Sequence, residues 1–284
     1  MSDQNAEQTV SWRELRKETT QRFEAAGLPE TEARWLIEDL ADGLLDDLIT
    51  QRSMARHDDL VTRRLAGEPL QYVLGHWPFR TLDLMVDQRV LIPRPETEGV
   101  AGYALEELDR QSGDLLVADL GTGSGALGLS MASERTNTKV WCTDFSADAL
   151  AVARANLVGL GRPARRVTLA QGSWFAALPD DLQGSLALVV SNPPYVATTA
   201  DLPAEVADWE PAMALTAGSQ GTDDLHHLVD HAQKWLAPGG ALVLEMSPEQ
   251  TIPLADRATA LGYTEVRIRP DLTGRSRALI AQRL

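Results

Sequence analysis

The chain has 284 residues, of which 26 are Lys or Arg and 41 are Asp or Glu, so its formal charge is −15. Non-specific nucleic-acid binding depends on basic side chains that neutralise phosphates, and this charge argues against such a role. The single cysteine, Cys142, excludes an internal disulfide and a cysteine-based zinc site. The first ten residues do not resemble a secretory signal, and no apolar run approaches the ~18 residues of a membrane span. These features predict a cytoplasmic protein without a membrane partner.

Residues 1–75 are predicted to form a small helical domain. Ser11 and Glu14 have the spacing of a capping box, in which each side chain caps the other residue's free backbone amide. A first helix should therefore begin after Ser11. Further helices are predicted over residues 30–42, ending at Gly43, and over residues 58–66. Nothing in this part of the sequence has a pattern typical of catalysis.

A change of periodicity after Gly75 predicts a β-hairpin linker over residues 76–96. Apolar residues recur at every second position over residues 82–86, which indicates a strand. A second strand is predicted at Val90 and Ile92. The hairpin would connect the helical domain to the rest of the chain.

Residues 97–284 are predicted to form an α/β domain. From Leu115 onward, near-continuous apolar strands alternate with helices, which indicates a mainly parallel sheet covered on both faces. The last two strands are joined by a short turn and should pair antiparallel. Strands are predicted at residues 115–120, 139–143, 166–170, 186–190, 241–245, 264–269 and 277–282, and helices at residues 96–108, 126–134, 147–157, 223–236 and 249–261.

A glycine-rich loop after the strand at residues 115–120 predicts a cofactor site. Glycines let the backbone approach a ligand closely, and the following helix N-terminus offers free amides. The pattern also fits a dinucleotide-binding loop, but Asp119 would repel a pyrophosphate and can receive the ammonium group of S-adenosylmethionine. Asp144, at the end of the next strand, can hold a ribose diol. The candidate cofactor residues of this region are Asp119, Gly121, Thr122, Gly123, Ser124, Gly125 and Asp144.

The strand at residues 186–190 runs into the turn Asn192-Pro193-Pro194-Tyr195, called the NPPY turn below. Ligands of open α/β sheets bind at this carboxyl edge. Prolines stiffen the loop and lack amide donors. The Asn192 side-chain oxygen and the Pro193 carbonyl can therefore accept both hydrogens of one planar NH₂ group, on which Tyr195 can stack. Such acceptors return electron density to the nitrogen and aim it at a sulfonium methyl, which predicts N-methylation of an amide or an aromatic amine.

The NPPY turn, the glycine loop and the Leu-Ile-Pro-Arg-Pro-Glu-Thr-Glu stretch at residues 91–98 together resemble the HemK/PrmC protein-glutamine methyltransferases. The resemblance covers almost the whole chain. It implies a seven-stranded Rossmann-like S-adenosylmethionine-dependent methyltransferase domain, preceded by a helical substrate-recognition domain and a hairpin. It also implies S-adenosyl-L-methionine as cofactor and methylation of the glutamine in the Gly-Gly-Gln motif of class-1 peptide chain release factors. We further expect a monomer with no direct nucleic-acid partner.

The resemblance extends to individual residues. Residues 121–125 would hold the methionine end of the cofactor, Asp144 the ribose, and Trp174 would flank the adenine. Ser173 stands where relatives often carry an Asp, which removes a carboxylate from that position. Residues 245–247 are Glu-Met-Ser, where relatives often carry Glu-Ile-Gly. We expect this difference to affect packing at the strand end more than chemistry. Asn192 would meet both the cofactor and the substrate, and the glutamine amide would be held by Asn192, Pro193, Pro194 and Tyr195. Phe79 and the stretch from Arg94 to Glu98 would line the mouth of the site.

Two other activities stay open, namely glutamine methylation of a ribosomal protein and methylation of an adenine amino group on DNA or RNA. The second is less favoured because residues 1–80 carry 10 basic and 15 acidic side chains. Acidic residues that follow the NPPY turn are expected to form a rim that steers a basic protein loop to Asn192. They are Asp201, Glu205, Asp208, Glu210, Asp223 and Asp224.

One further cluster has the residue types of a metal site. Asp223, His227 and His231 share one face of a predicted helix. We interpret them as a solvated polar face and predict no metal site.

Overall fold

The computed structural model of the protein describes residues 10–42 and 44–284. The chain divides into two compact units, with the boundary between Gly75 and His76. The predicted helix end at Gly43 lies outside the described residues. Within the described ranges, no helix has the length and apolar character needed to span a membrane.

The first unit is helical. The capping box is confirmed, because the Ser11 hydroxyl accepts the Glu14 amide and the Glu14 carboxylate accepts the Ser11 amide. The third helix begins at Gln51, earlier than predicted, because Thr50 caps it by accepting the Ser53 amide at 3.1 Å. A short fourth helix was not predicted. The helices are α1 (Trp12–Ala25), α2 (Glu30–Ala41), α3 (Gln51–Leu65) and α4 (Leu70–Leu74).

The second unit begins with a hairpin in which the strand predicted at residues 82–86 is confirmed and its partner differs from the predicted one. Strand β1 (His76–Phe79) pairs antiparallel with β2 (Leu82–Met85). The predicted strand at Val90 and Ile92 is wrong, since both residues are buried in an irregular segment. The Ile92 amide donates to the Glu210 carboxylate at 3.1 Å instead of to a neighbouring strand.

Seven strands form one sheet, which confirms the predicted fold class. The strand order is β5-β4-β3-β6-β7-β9-β8, with β9 antiparallel to both neighbours and the other pairs parallel. The strands are β3 (Leu115–Leu120), β4 (Thr138–Asp144), β5 (Val167–Gln171), β6 (Leu186–Ser191), β7 (Leu236–Glu245), β8 (Thr264–Pro270) and β9 (Ser276–Gln282). The helices of this unit are α5 (Pro95–Asp109), α6 (Ala126–Glu134), α7 (Ala147–Gly159), α8 (Ala204–Ala207), α9 (Asp223–Trp235) and α10 (Pro248–Ala260).

The strand order places the two predicted functional loops side by side. Every residue of β6 is buried, as expected for a parallel strand covered by helices on both faces. The strands β3 and β6 are neighbours although β4 and β5 separate them in sequence. Their carboxyl ends lie at the point where the strand order reverses, which is where open α/β sheets bind ligands.

Candidate active site

The loop between β3 and α6 depends on glycine at two positions. Gly121 and Gly125 have φ angles of 72° and 92°, which residues other than glycine rarely adopt. A Cβ atom at Gly125 would lie 2.8 Å from Leu129, and one at Gly121 would lie 3.2 Å from the ring of Trp174. The loop is therefore held close to both its own helix and the indole ring.

Asp119 is a buried carboxylate whose two oxygens differ in their hydrogen bonds. Its Oδ2 atom accepts the Thr122 hydroxyl at 2.5 Å and the Gly128 amide at 2.8 Å. Its Oδ1 atom is buried and has no hydrogen-bond partner among the described residues. Burial raises the pKa of Asp119 to about 6, so the carboxylate still predominates at neutral pH. An unpaired buried anion of this kind fits the ammonium group of a methionine moiety.

Asp144 is fixed by the backbone around it. Its two oxygens accept the amides of Gly123 and Ser146, each at 2.9 Å. Burial raises the pKa of this carboxyl above its ordinary value. The neighbouring Phe145 is 66% exposed and lines the same cavity as Asp144. An acid and an aromatic ring thus line one cavity, a combination that fits a nucleoside.

A cavity of about 240 Å³ joins the two loops. Gly125 does not line it, because this residue faces Leu129 on the helix side of the loop. The cavity's acidic and aromatic side chains fit S-adenosylmethionine. The predicted site residues that line it are Asp119, Gly121, Thr122, Gly123, Ser124, Asp144, Trp174, Asn192 and Pro194.

A carboxylate that the sequence analysis did not assign to the cofactor stands at one end of this cavity. Trp174 has a φ angle of 48°, and its indole opposes the rise that burial causes in the pKa of Asp224 on α9. Asp224 lines the cavity together with Ser173. An acid therefore reaches this end from α9, although position 173 lacks one. The sequence analysis did not assign Asp224 to the cofactor because only the strand order brings α9 to the loop after β5, and the local sequence does not show that order.

The NPPY turn lies between this cavity and a smaller one. Asn192 lines both, Pro194 lines the larger, and Pro193, Tyr195 and Arg94 line the smaller. All four residues of the turn therefore stand at a cavity wall.

The side chains of this turn are held by a buried hydrogen-bond network. Asn192 Nδ2 donates to Thr97 Oγ1 at 3.3 Å, and the Thr97 hydroxyl donates to Glu245 Oε2 at 2.7 Å. The Tyr195 hydroxyl donates to Glu245 Oε1 at 3.1 Å. Burial raises the pKa of Glu245 to about 7 and that of Tyr195 above its ordinary value. The contacts of Asn192 leave its side-chain oxygen as the atom that can accept from a ligand.

The sequence analysis does not predict a site role for Glu245, and it includes Thr97 only as part of the stretch at residues 94–98. Position 245 was considered only for strand-end packing, yet its carboxylate contacts two side chains next to the predicted chemistry. The signal available in the sequence was a glutamate at the carboxyl end of an apolar strand, which is costly to bury without partners.

The backbone of the turn is supported from outside by Gln250 and Gly221. Gln250 Nε2 donates to the carbonyl oxygens of Tyr195 and Gly221, at 2.9 and 3.0 Å. A Cβ atom at Gly221 would lie 2.4 Å from the Tyr195 carbonyl oxygen, so only glycine fits there. These contacts fix the path of the chain just after the two prolines.

Arg94 lies at the smaller cavity in a partly buried ion pair. It pairs with Glu210, whose side chain is 1% exposed and whose second oxygen accepts the Ile92 amide. Glu210 is therefore an internal partner and not part of an exposed acidic rim.

The structure does not bring Phe79 or Glu98 to either cavity. Phe79 is 1% exposed in the hydrophobic core, where it packs in one cluster with Leu84 and Val100. Glu98 accepts the Arg80 amide at 2.8 Å and thus holds the hairpin turn. The expectation that both line the mouth of the site is not met, because both serve the hairpin's packing instead.

Within the described residues, no three or more His, Cys, Asp or Glu side chains stand together as a metal-binding group. His227 and His231 lie with ring centroids 4.4 Å apart, and His231 Nδ1 donates to the His227 carbonyl.

The chain is similar to proteins of known classification in both of its parts. The family profiles that match are described as Methyltransferase small domain, over residues 103–208, and PrmC N-terminal domain, over residues 14–75. A release factor glutamine methyltransferase of Moorella thermoacetica is 42% identical, over 84% of this chain and 83% of the relative. One of Deinococcus radiodurans is 39% identical, over 95% and 98%. A methyltransferase structure from Pyrococcus furiosus shares the fold, with a TM-score of 0.52 at 20% identity, over 82% of this chain and 98% of that one.

Proposed function

The chain belongs to the release factor glutamine methyltransferase family and is an S-adenosylmethionine-dependent protein glutamine methyltransferase, and we propose that its substrate is the Gly-Gly-Gln glutamine of class-1 peptide chain release factors. The observation that carries this proposal is the place of Asn192 at the wall shared by two cavities, one of which has the cofactor features. A glutamine side chain entering through the smaller cavity would meet the NPPY turn first.

The turn supplies acceptors for the substrate amide. Asn192 Oδ1 and the Pro193 carbonyl accept the two hydrogens of the glutamine NH₂ group. An amide nitrogen is a poor nucleophile because its lone pair is delocalised, and two acceptors on its hydrogens return electron density to it. Orientation of this kind can contribute ~7–11 kcal/mol in favourable cases. The turn is stiff because Pro193 and Pro194 fix their own φ angles.

The glycine loop holds the other reactant. S-adenosylmethionine supplies an electrophilic methyl group when bound. Asp119 Oδ1 would receive the ammonium group, Asp144 the ribose hydroxyls, and Trp174 with Asp224 the adenine end. Asp119, Asp144 and Trp174 follow β3, β4 and β5, and Asp224 reaches the same cavity from α9. Asn192 follows β6, the neighbour of β3, so the methyl donor and the amide would meet at the carboxyl ends of these strands.

The smaller cavity favours a protein segment over a nucleotide. Its walls include apolar side chains of Leu91, Val196 and Leu215, and its cation, Arg94, is neutralised by buried Glu210. No basic groove for a phosphate backbone follows from this lining. We therefore propose that the enzyme acts on a protein loop without direct nucleic-acid contact, as a cytoplasmic monomer whose residues 1–75 contribute to substrate recognition.

The test is transfer of labelled methyl groups to a purified class-1 release factor, followed by mass mapping. We expect one methyl group on the glutamine of the Gly-Gly-Gln motif and none on a control release factor in which that glutamine is alanine. Parallel reactions offer a ribosomal protein with a methylatable glutamine, and adenine-containing DNA and RNA. Label only on a ribosomal protein or on adenine would refute the proposal in favour of one of those activities.

A further inference from the structure

The polar side chains behind Asn192 form one chain of hydrogen bonds with a defined direction. The Asn192 amide donates to Thr97 Oγ1, and the Thr97 hydroxyl donates to Glu245 Oε2. A hydroxyl group has a single hydrogen. Because the hydrogen of Thr97 points to Glu245, its oxygen lone pairs are left to accept from Asn192. The orientation of the Asn192 amide is thus set by Glu245 on β7, through the intervening hydroxyl of Thr97.

We infer that Glu245 is a positioning residue, which acts through Thr97 to hold the Asn192 amide with its oxygen toward the substrate NH₂ group. The inference rests on the proposed role of Asn192 as an acceptor for a substrate hydrogen. A carboxylate carries acceptors only, so the hydroxyls of Thr97 and Tyr195 must both donate to it. That requirement fixes the Thr97 hydroxyl and, one hydrogen bond further, the Asn192 amide.

A neutral group at position 245 removes this constraint. A protonated carboxyl or a glutamine amide has a hydrogen to donate, and when Thr97 accepts it, the Thr97 hydroxyl hydrogen turns toward Asn192. Asn192 then presents its oxygen to Thr97 and its own NH₂ group to the cavity. Two facing NH₂ groups make no hydrogen bond, and the substrate amide loses one of its two acceptors.

The surroundings of Glu245 set the pH at which this happens. Burial raises its pKa to about 7, and the charge of Glu96 on α5 acts in the same direction. Hydrogen bonds from Thr97 and Tyr195 and the charge of Arg277 on β9 lower it. The carboxylate therefore predominates above pH 7 and is lost as pH falls below that value.

The experiment compares Glu245→Gln and Thr97→Val with the wild-type enzyme. Thr97→Ser is the rescue variant, since it keeps the hydroxyl. Thr138→Val is the matched control, because Thr138 is a buried threonine at the amino end of β4 whose hydroxyl donates to the Arg135 carbonyl at 2.9 Å. Each protein is assayed for kcat and KM with a release factor at saturating cofactor between about pH 5.5 and 9, for cofactor Kd by calorimetry, and for its unfolding temperature.

We expect Glu245→Gln and Thr97→Val to lower kcat roughly 10- to 100-fold at pH 8, as small misplacements of a reacting group do. Cofactor Kd should stay within about twofold of wild type, and Thr97→Ser and Thr138→Val should keep most of the activity. The wild-type kcat should fall below pH 7, whereas that of Glu245→Gln should not show this step.

Stability separates positioning from a merely structural role. A carboxyl whose pKa is raised in the folded state holds its proton more tightly there, so its contribution to stability weakens as pH rises from about 4.3 toward 7. A neutral glutamine is free of that cost, and Glu245→Gln should unfold at the same or a higher temperature than wild type at pH 8.

The positioning role would be overturned by a wild-type kcat in Thr97→Val or by an unchanged pH step in Glu245→Gln. Loss of activity accompanied by a large fall in unfolding temperature in both variants would also count against it. An Asn192→Ala enzyme with full activity would instead refute the proposed function of the turn, so the two failures are distinguishable.

Discussion

The two walls of the cavity are built in different ways. On the glycine-loop wall, Asp119 is held by Thr122 and Gly128, partners three and nine residues away in sequence. On the NPPY wall, Asn192 reaches Thr97 across 95 residues, and Thr97 reaches Glu245 across 148. The first wall is a local motif that folds with its own strand and helix. The second depends on α5, β6 and β7 being assembled together.

The two buried carboxylates differ in the same sense. One oxygen of Asp119 has no partner within residues 10–42 and 44–284, whereas both oxygens of Glu245 accept hydrogen bonds from side chains. A buried anion with an unpaired oxygen is suited to a cationic ligand, and one with both oxygens occupied is suited to orienting its neighbours. The comparison assigns binding to one wall and alignment to the other.

Asn192→Ala should give the largest effect, and it should impair methyl transfer at the NPPY wall without changing the glycine-loop wall. Loss of one preorganised hydrogen-bonding group costs about 10²–10³-fold in kcat, while the glycine loop keeps its own contacts. Release-factor methylation and cofactor titration are the measurements. Asn137→Ala is the matched control, because Asn137 is exposed and donates to the Gly113 carbonyl. A cofactor Kd that rose as steeply as kcat fell would contradict the division.

Asp119→Asn should weaken cofactor binding at the glycine-loop wall without changing the NPPY wall. The variant can still accept from Thr122 and Gly128 through its oxygen, but it turns an N–H donor toward the ammonium group. Hydrogen bonds to charged groups contribute ~1.5–3 kcal/mol, so cofactor Kd should rise roughly 10- to 100-fold. Calorimetric titration checks this, with exposed Asp114→Asn as control.

The pH dependence of cofactor binding sharpens the same prediction. Because burial raises the pKa of Asp119 to about 6, the carboxyl is increasingly protonated below pH 6 and cofactor affinity should fall there. Binding at pH 6 should release protons, since a bound cation lowers this pKa. An affinity that does not change between pH 8 and about pH 5.5 would speak against an ammonium site at Asp119.

Gly221→Ala should have a smaller effect on methyl transfer, because it acts on the backbone of the NPPY wall. The added methyl group meets the Tyr195 carbonyl, and its displacement should lower kcat roughly tenfold. Gly239→Ala is the matched control, because Gly239 has a similar positive φ and open space around it. Equal losses in the two variants would mean that backbone strain, and not the contact with the turn, is responsible.

Salt should give the smallest effect. Asp201, Glu205 and Asp208 are exposed, so attraction of a basic substrate loop should be screened as ionic strength rises. We expect kcat/KM for a release factor to fall about 2- to 5-fold between 50 and 300 mM salt, with kcat unchanged. The triple variant D201N/E205Q/D208N should lose this dependence. A wild-type kcat/KM that is insensitive to salt would rule out steering by these residues.

The sequence predicts the residues of the glycine-loop wall well and those of the NPPY wall in part. The glycine loop and β3 match their predicted positions because a local pattern of strand, turn and helix specifies them. Asn192 was found from its turn, but Glu245 and Gln250 were not, because only the strand order brings them to it. The strand expected at Val90 and Ile92 failed for a similar reason, since a distant carboxylate, Glu210, satisfies the backbone there.

The most direct measurement is single-turnover methylation of a release factor by Asp119→Asn and Asn192→Ala as cofactor concentration is raised to saturation. The division of the two walls predicts that Asp119→Asn approaches the wild-type rate at saturation, whereas Asn192→Ala stays about 10²–10³-fold slower at every concentration. Recovery of Asn192→Ala at high cofactor, or failure of Asp119→Asn to recover, would contradict it.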